Sequence, residues 1–115
     1  MKNSFEGVGQ WAATFVCDET VAENQVVKVS GNGAVGVCAD GDAFCGIAAV
    51  VGSDHAACAV VMGGMVTAAY SGNAPALGRS GLSADGNGGV KADAAGQKYI
   101  VVDVDTVGKM VTFAL

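Results

Sequence analysis

Residues Gln25–Ala39 read QVVKVSGNGAVGVCA, and the fold class turns on this stretch. Val26, Val27 and Val29 are β-branched and precede Gly31-Asn32-Gly33, after which Ala34–Ala39 resumes an apolar run. Asn-Gly tolerates the positive φ of a tight turn, so the segment predicts a β-hairpin of Gln25–Ser30 against Ala34–Ala39. Asp40-Gly41-Asp42 supplies the next turn.

The same punctuation extends in both directions. Upstream, Trp11–Val16 reads as a strand that ends at the polar Asp18-Glu19-Thr20. Downstream, Phe44–Val51 and Ala56–Met62 flank Gly52-Ser53-Asp54-His55 as a second hairpin, and Met65–Tyr70 follows the Gly63-Gly64 break. Ser71–Gly81 holds the chain's only proline, Pro75, and reads as an excursion loop. Leu82–Ala84 and Val90–Ala92 are short strands on either side of Asp85–Gly89. Tyr99–Asp105 alternates cleanly, and Val107-Gly108 turns into a closing strand, Lys109–Leu115. Short strands at regular intervals with glycine turns predict an all-β protein, a small barrel or sandwich. It would comprise an N-terminal arm, 1–10, and a β domain, 11–115. A short helix over the Ala-rich Phe44–Val60 is the competing reading. Gly46 and Gly52 oppose it at about 1 kcal/mol each in a helix interior, and Val50-Val51 and Val60-Val61 lean to strand.

One internal echo stands out. Gly31-Asn32-Gly33-Ala34-Val35 leads to Ala39-Asp40, and Gly86-Asn87-Gly88-Gly89-Val90 leads to Ala92-Asp93. A duplicated hairpin unit would explain it. A vocabulary restricted to Gly, Ala, Val and Asp explains it more simply, and that is the preferred reading.

Composition narrows the function classes. Of 115 residues, 51% are hydrophobic and 15% charged, with a net charge of −5. Disordered chains are polar and highly charged, so disorder is excluded. Lys2, Lys28, Arg79, Lys91, Lys98 and Lys109 are scattered, whereas a phosphate-binding surface needs them clustered; no nucleic-acid partner is expected. Glu6, Gln10 and early glycines interrupt any signal-peptide core, and the apolar stretches are too short to span a bilayer, so no membrane partner is expected and synthesis is placed in the cytoplasm. Few charges and many small apolar residues favour burial against other chains, hence a homo-oligomer.

Chemistry-bearing residues lack the spacing of a site. Cys17, Cys38, Cys45 and Cys58 show no C-x-x-C pair and read as buried thiols, with one structural disulfide left open for an oxidising environment. His55, the single histidine, lies in a polar turn. The i, i+2 pairs Asp40/Asp42 and Asp103/Asp105 invite a calcium reading, as does Asp85-Gly86-Asn87-Gly88, but no bidentate Glu follows and turn chemistry explains Asp and Asn beside Gly. No cofactor, metal or catalytic residue is expected, and the protein reads as no enzyme. Aromatics are concentrated instead: Phe5, Trp11 and Phe15 are three of seven. Either they fill the barrel core, the better reading for Trp11 and Phe15, or they anchor on a neighbour as aromatic hot spots do, the better reading for Phe5.

A skeleton runs through Phe5-Glu6-Gly7, Val21, Gln25-Val26-Val27, Gly46-Ile47-Ala48, Gly63-Gly64-Met65-Val66, Gly78 with Leu82-Ser83-Ala84, Gly89-Val90 and two closing strands. Over nearly the whole chain it resembles the small capsid decoration (cement or head-stabilising) proteins of tailed bacteriophages and prophages. The Ala- and Cys-rich middle departs from the Thr- and Asp-rich style of that family. The resemblance implies an all-β, often trimeric protein on the exterior of the virion, with the major capsid protein as partner and no catalytic residues. Phe5, Glu6, Trp11 and Phe15 are then the candidate interaction residues. Two alternatives belong to other classes. One is a small bacterial β-barrel module binding protein or carbohydrate, with Tyr70 and Tyr99 as surface aromatics. The other is a thiol enzyme centred on Cys58 and His55.

Overall fold

A computed structural model describes residues 10–18, 20–54 and 57–115. Phe5, Glu6 and His55 lie outside the described residues, as do most of the arm 1–10 and the tip of the second hairpin. Among the described residues there are ten strands and no helix: β1 Trp11–Cys17, β2 Val26–Gly31, β3 Ala34–Val37, β4 Gly46–Val51, β5 Cys58–Gly63, β6 Met65–Ser71, β7 Gly78–Ala84, β8 Val90–Ala92, β9 Gln97–Asp105 and β10 Met110–Ala114. The fold is all-β, as the glycine punctuation predicts. β4 and β5 occupy the stretch where a helix competed, consistent with its β-branched pairs.

The strands close into two barrels of identical topology. The first runs β1-β3-β2-β4-β5 and the second β6-β8-β7-β9-β10, each shut by its last strand returning to its first. In both, the first strand is parallel to the third and every other pairing is antiparallel. The sequence echo falls at equivalent positions. Val35 lies opposite Val29 and beside Cys17; Val90 lies opposite Ala84 and beside Tyr70. Gly33 and Gly88, the turn glycines before them, both have positive φ, 66° and 91°. A restricted vocabulary is therefore not the explanation that fits: the unit repeats, and it spans five strands rather than one hairpin.

The repeat extends to side chains. Lys28, next to Val29, donates to Asp42 Oδ2 at 2.5 Å; Ser83, next to Ala84, donates through Oγ to Asp93 Oδ2 at 2.8 Å. In each barrel an aspartate in the loop after the third strand reaches back to the same position of the second.

One boundary differs from expectation. β7 begins at Gly78, inside the expected loop Ser71–Gly81. Gly-Arg-Ser-Gly has no apolar period, and its strand exists because Gly78–Leu82 pair with Gln97–Val101. Gly81 is needed there, since a Cβ would collide with the Asp93 carbonyl oxygen.

The two barrels share a core. Val26, Cys38, Phe44 and Ile47 of the first pack in one cluster with Val66, Tyr70, Leu82, Tyr99, Val101, Val111 and Phe113 of the second. Phe44 stacks on Tyr99 with centroids 5.2 Å apart and meets Phe113 edge-on at 5.9 Å. Main-chain bonds stitch the same seam: Val26 N–H to Gly88 O at 2.9 Å, Gly41 N–H to Ala84 O at 2.8 Å and Ala84 N–H to Asp42 O at 2.9 Å. The interior of the first barrel is a separate cluster of small side chains, Cys17, Val21, Val27, Val35, Ala48, Cys58 and Val60.

Phe44→Ala removes the ring that the first barrel contributes to the shared core. It should cost about 3–5 kcal/mol, the usual range for a buried Phe truncation, read as a lower urea midpoint. A loss below about 1 kcal/mol would mean the barrels do not depend on the ring.

Candidate functional site

The acidic side chains are mostly occupied in shaping turns. Asp18 Oδ1 accepts from the Thr20 amide at 3.0 Å, Asp85 Oδ1 from Asn87 and Gly89 at 2.7 and 3.1 Å, and Asp105 Oδ1 from Val107 and Gly108, each at 3.0 Å. Asp93 Oδ1 accepts from Ala95 at 2.9 Å. Asp85 forms the turn expected of Asp beside Gly, and Asp18, Asp93 and Asp105 form similar Asx turns without a following glycine. The Asp42 carboxyl is held below its ordinary value first by the Lys28 hydrogen bond and then by the Ala39 amide, and that of Asp93 by the Ser83 hydroxyl and then the Ala95 amide. Both favour the ionised form, so the stability they contribute is present above the ordinary value of 3.8 and is lost as pH falls below it. Among the described residues no three His, Cys, Asp or Glu side chains converge as a metal site would require.

The cysteines are where the apolar strand patterns put them. Cys17, Cys38 and Cys58 are buried and Cys45 half-buried, none of them disulfide-bonded. Cys17 and Cys58 share the small-residue core of the first barrel, and the two thiols hydrogen-bond. Burial is the largest cause pushing the Cys38 and Cys58 thiols up to about 11. A nucleophilic cysteine needs the opposite environment, one that lowers the thiol's pKa and exposes it.

Interaction residues divide differently from expectation. Phe15 is half-buried against the first barrel's core, as expected. Trp11 is not core: it is 56% exposed. The inward positions of β1 are Ala13, Phe15 and Cys17, and the barrel interior is already filled by small residues. A register shift between Trp11 and Ala12 sets Trp11 opposite Gly63, where the indole lies against the glycine in the space a Cβ would take. Next to it, Gln10 Nε2 donates to Met65 O at 2.6 Å, which sets Gln10 beside the start of the second barrel.

Trp11 borders an uncharged sheet face. Thr14 lies opposite Ala59, and Ala59 opposite Val50, forming a row across the outside of β1, β5 and β4; Val16 continues it along β1. Val50 is 59% exposed and Val16 nearly as much. Glu23 stands at its rim, accepting from the Val51 amide at 3.1 Å. This face escaped the sequence reading because the alternation of β4 and β5 is apolar on both sides, so the pattern gives no outward signal. Tyr70 and Tyr99, the surface aromatics wanted for a carbohydrate platform, are both buried.

The chain matches no protein-family model and no curated protein sequence. What the geometry offers is closed barrels, carboxylates used largely in turns, buried or half-buried thiols and exposed apolar faces.

The thiols provide a direct check. In the native protein Cys38 and Cys58 should react slowly with iodoacetamide at neutral pH, faster as pH rises toward 11, and fully on unfolding. Because the folded state favours the neutral thiol, the associated stability is present below the ordinary value of 9.0 and lost between there and about 11. A cysteine labelled at the free-thiol rate at neutral pH would favour the thiol-enzyme reading.

Proposed function

We propose that this chain is a structural virion protein that decorates the outside of a tailed-phage head and stabilises it by binding between major capsid subunits. The observation that carries the reading is the uncharged outer face of the first barrel, bordered by the exposed Trp11 and continued by Val16 and Val50. On a chain of net charge −5, such a face is suited to burial against another protein, and an indole at its margin is the side chain type that most often dominates binding energy. The resemblance to decoration proteins supplies the partner class, the position on the virion exterior and a trimeric self-association. Binding of this kind needs no reacting group, which agrees with carboxylates used as turn caps and thiols buried as core. Many copies on one lattice then multiply a modest contact into a strong one.

The test is co-sedimentation with mature phage heads assembled from a major capsid protein of the same genome. The purified protein should pellet with assembled heads and not associate with free capsid monomers. Trp11→Ala should weaken that binding by about 30-fold, the effect of losing a hot-spot side chain worth 2 kcal/mol, with little change in the unfolding midpoint. Removing residues 1–9 should weaken head binding more than folding. Absence from the pellet under every condition would end the reading.

A further inference from the structure

β9 carries a graded stripe on the outside of the second barrel. Tyr99 and Val101 point inward and are buried, leaving Lys98 and Ile100 outward. A register shift between Thr112 and Phe113 of β10 then keeps Asp103 and Asp105 on the same outer face, opposite Thr112 and Met110. On the neighbouring strand, Arg79 lies opposite Ile100 and Gly81 opposite Lys98, so Arg79 and Lys98 are diagonal neighbours. Leu77, just before β7, is 67% exposed. One end of the stripe is therefore cationic and apolar, with Arg79, Lys98 and Ile100. The other is acidic and apolar, with Asp103, Asp105, Met110 and Val107, the last 94% exposed.

Among the described residues none of these charges has an ion-pair partner, and Asp105 Oδ1 is used to cap its own turn. Among the described residues, Lys28 pairs with Asp42 and Lys91 with Asp40, while Lys109 lies 5.6 Å from the centre of the Tyr70 ring. The described cations left over are Arg79 and Lys98, side by side. Lys98 reaches only the Ala94 carbonyl, at 3.5 Å. Along the strand Asp103 lies about 10 Å and Asp105 about 16 Å from Ile100 at the rise of a β-strand, and among the described residues no ion pair joins the two ends.

We propose that this face joins two copies of the chain about a two-fold axis, β9 antiparallel to β9. Arg79 and Lys98 of each copy meet the acidic end of the other, around a centre of Ile100 and Leu77. A two-fold contact repeats each pairing, so one face satisfies both ends at once, and complementary charge fixes its direction and register. The inference goes beyond capsid binding and does not rest on it. In a trimeric particle the contact links neighbouring trimers; in solution it doubles whatever unit the chain forms.

The experiment is sedimentation velocity over a concentration series, with no capsid present. Two variants are compared with the unaltered chain: R79E/K98E, whose face is wholly acidic, and D103K, whose face is mainly cationic. Asp105 is left in place because it caps its turn. Each variant alone should show half the mass of the unaltered protein, with self-association weakened about tenfold or more. An equimolar mixture should restore the doubled mass, because acidic faces then meet cationic ones; restoration also shows that both variants are folded. An unaltered protein that never doubles, a variant that still does, or a mixture that fails to recover would overturn the proposal. The mixture also tests the symmetry, since two such variants cannot alternate around a three-membered head-to-tail ring. Head binding is read separately in the pelleting assay, so either idea can fail without the other.

Discussion

The packing of Phe44 against Tyr99 and Phe113 is the contact on which the rest of the architecture depends. Each barrel has only five short strands, and a unit of that size buries too little apolar surface to be secure alone. The ring contributed by the segment before β4 enters the second barrel's aromatic core, and the seam is completed by main-chain bonds from Val26, Gly41 and Ala84. Lys91 with Asp40, at 2.9 Å, closes its margin. The Gly63-Gly64 link between the barrels is tied down as well, with Leu115 N–H donating to Gly64 O at 2.9 Å.

That dependence explains why two topologically identical units have diverged. The second barrel is filled with large side chains, among them Tyr70, Leu82, Tyr99 and Phe113, because its core continues into the seam. The first is filled with Val, Ala and Cys, and receives no side chain from its neighbour. Equivalent positions thus hold Cys17 and Tyr70 beside Val35 and Val90. Packing volume constrains core residues tightly, so sequence likeness faded there. It survived at the Asn-Gly turns, where the backbone requires a positive φ regardless of what fills the barrel.

The surface follows from the same division of labour. Backbone groups at the many turns must be satisfied, and aspartates do this in both barrels. What remains outside is an uncharged face on the first barrel and a charge-graded face on the second.

Strand positions were readable in the sequence because β-branched runs and glycine turns are local signals, and Trp11–Val16, Met65–Tyr70 and Tyr99–Asp105 lie within a residue or two of the observed elements. The buried state of the cysteines was readable for the same reason. The start of β7 was not, since Gly78–Gly81 is a strand only by virtue of its partner on β9. Nor was the exposure of Trp11, which hangs on a register shift and on the absence of a side chain at Gly63. By itself, then, the sequence determined that the protein is all-β, where its turns fall and that its thiols are core. The tertiary structure alone decided that there are two barrels rather than one, which aromatics join them and which apolar residues face out. Those outcomes depend on pairings between residues far apart in the chain, and a local pattern carries no record of its partner.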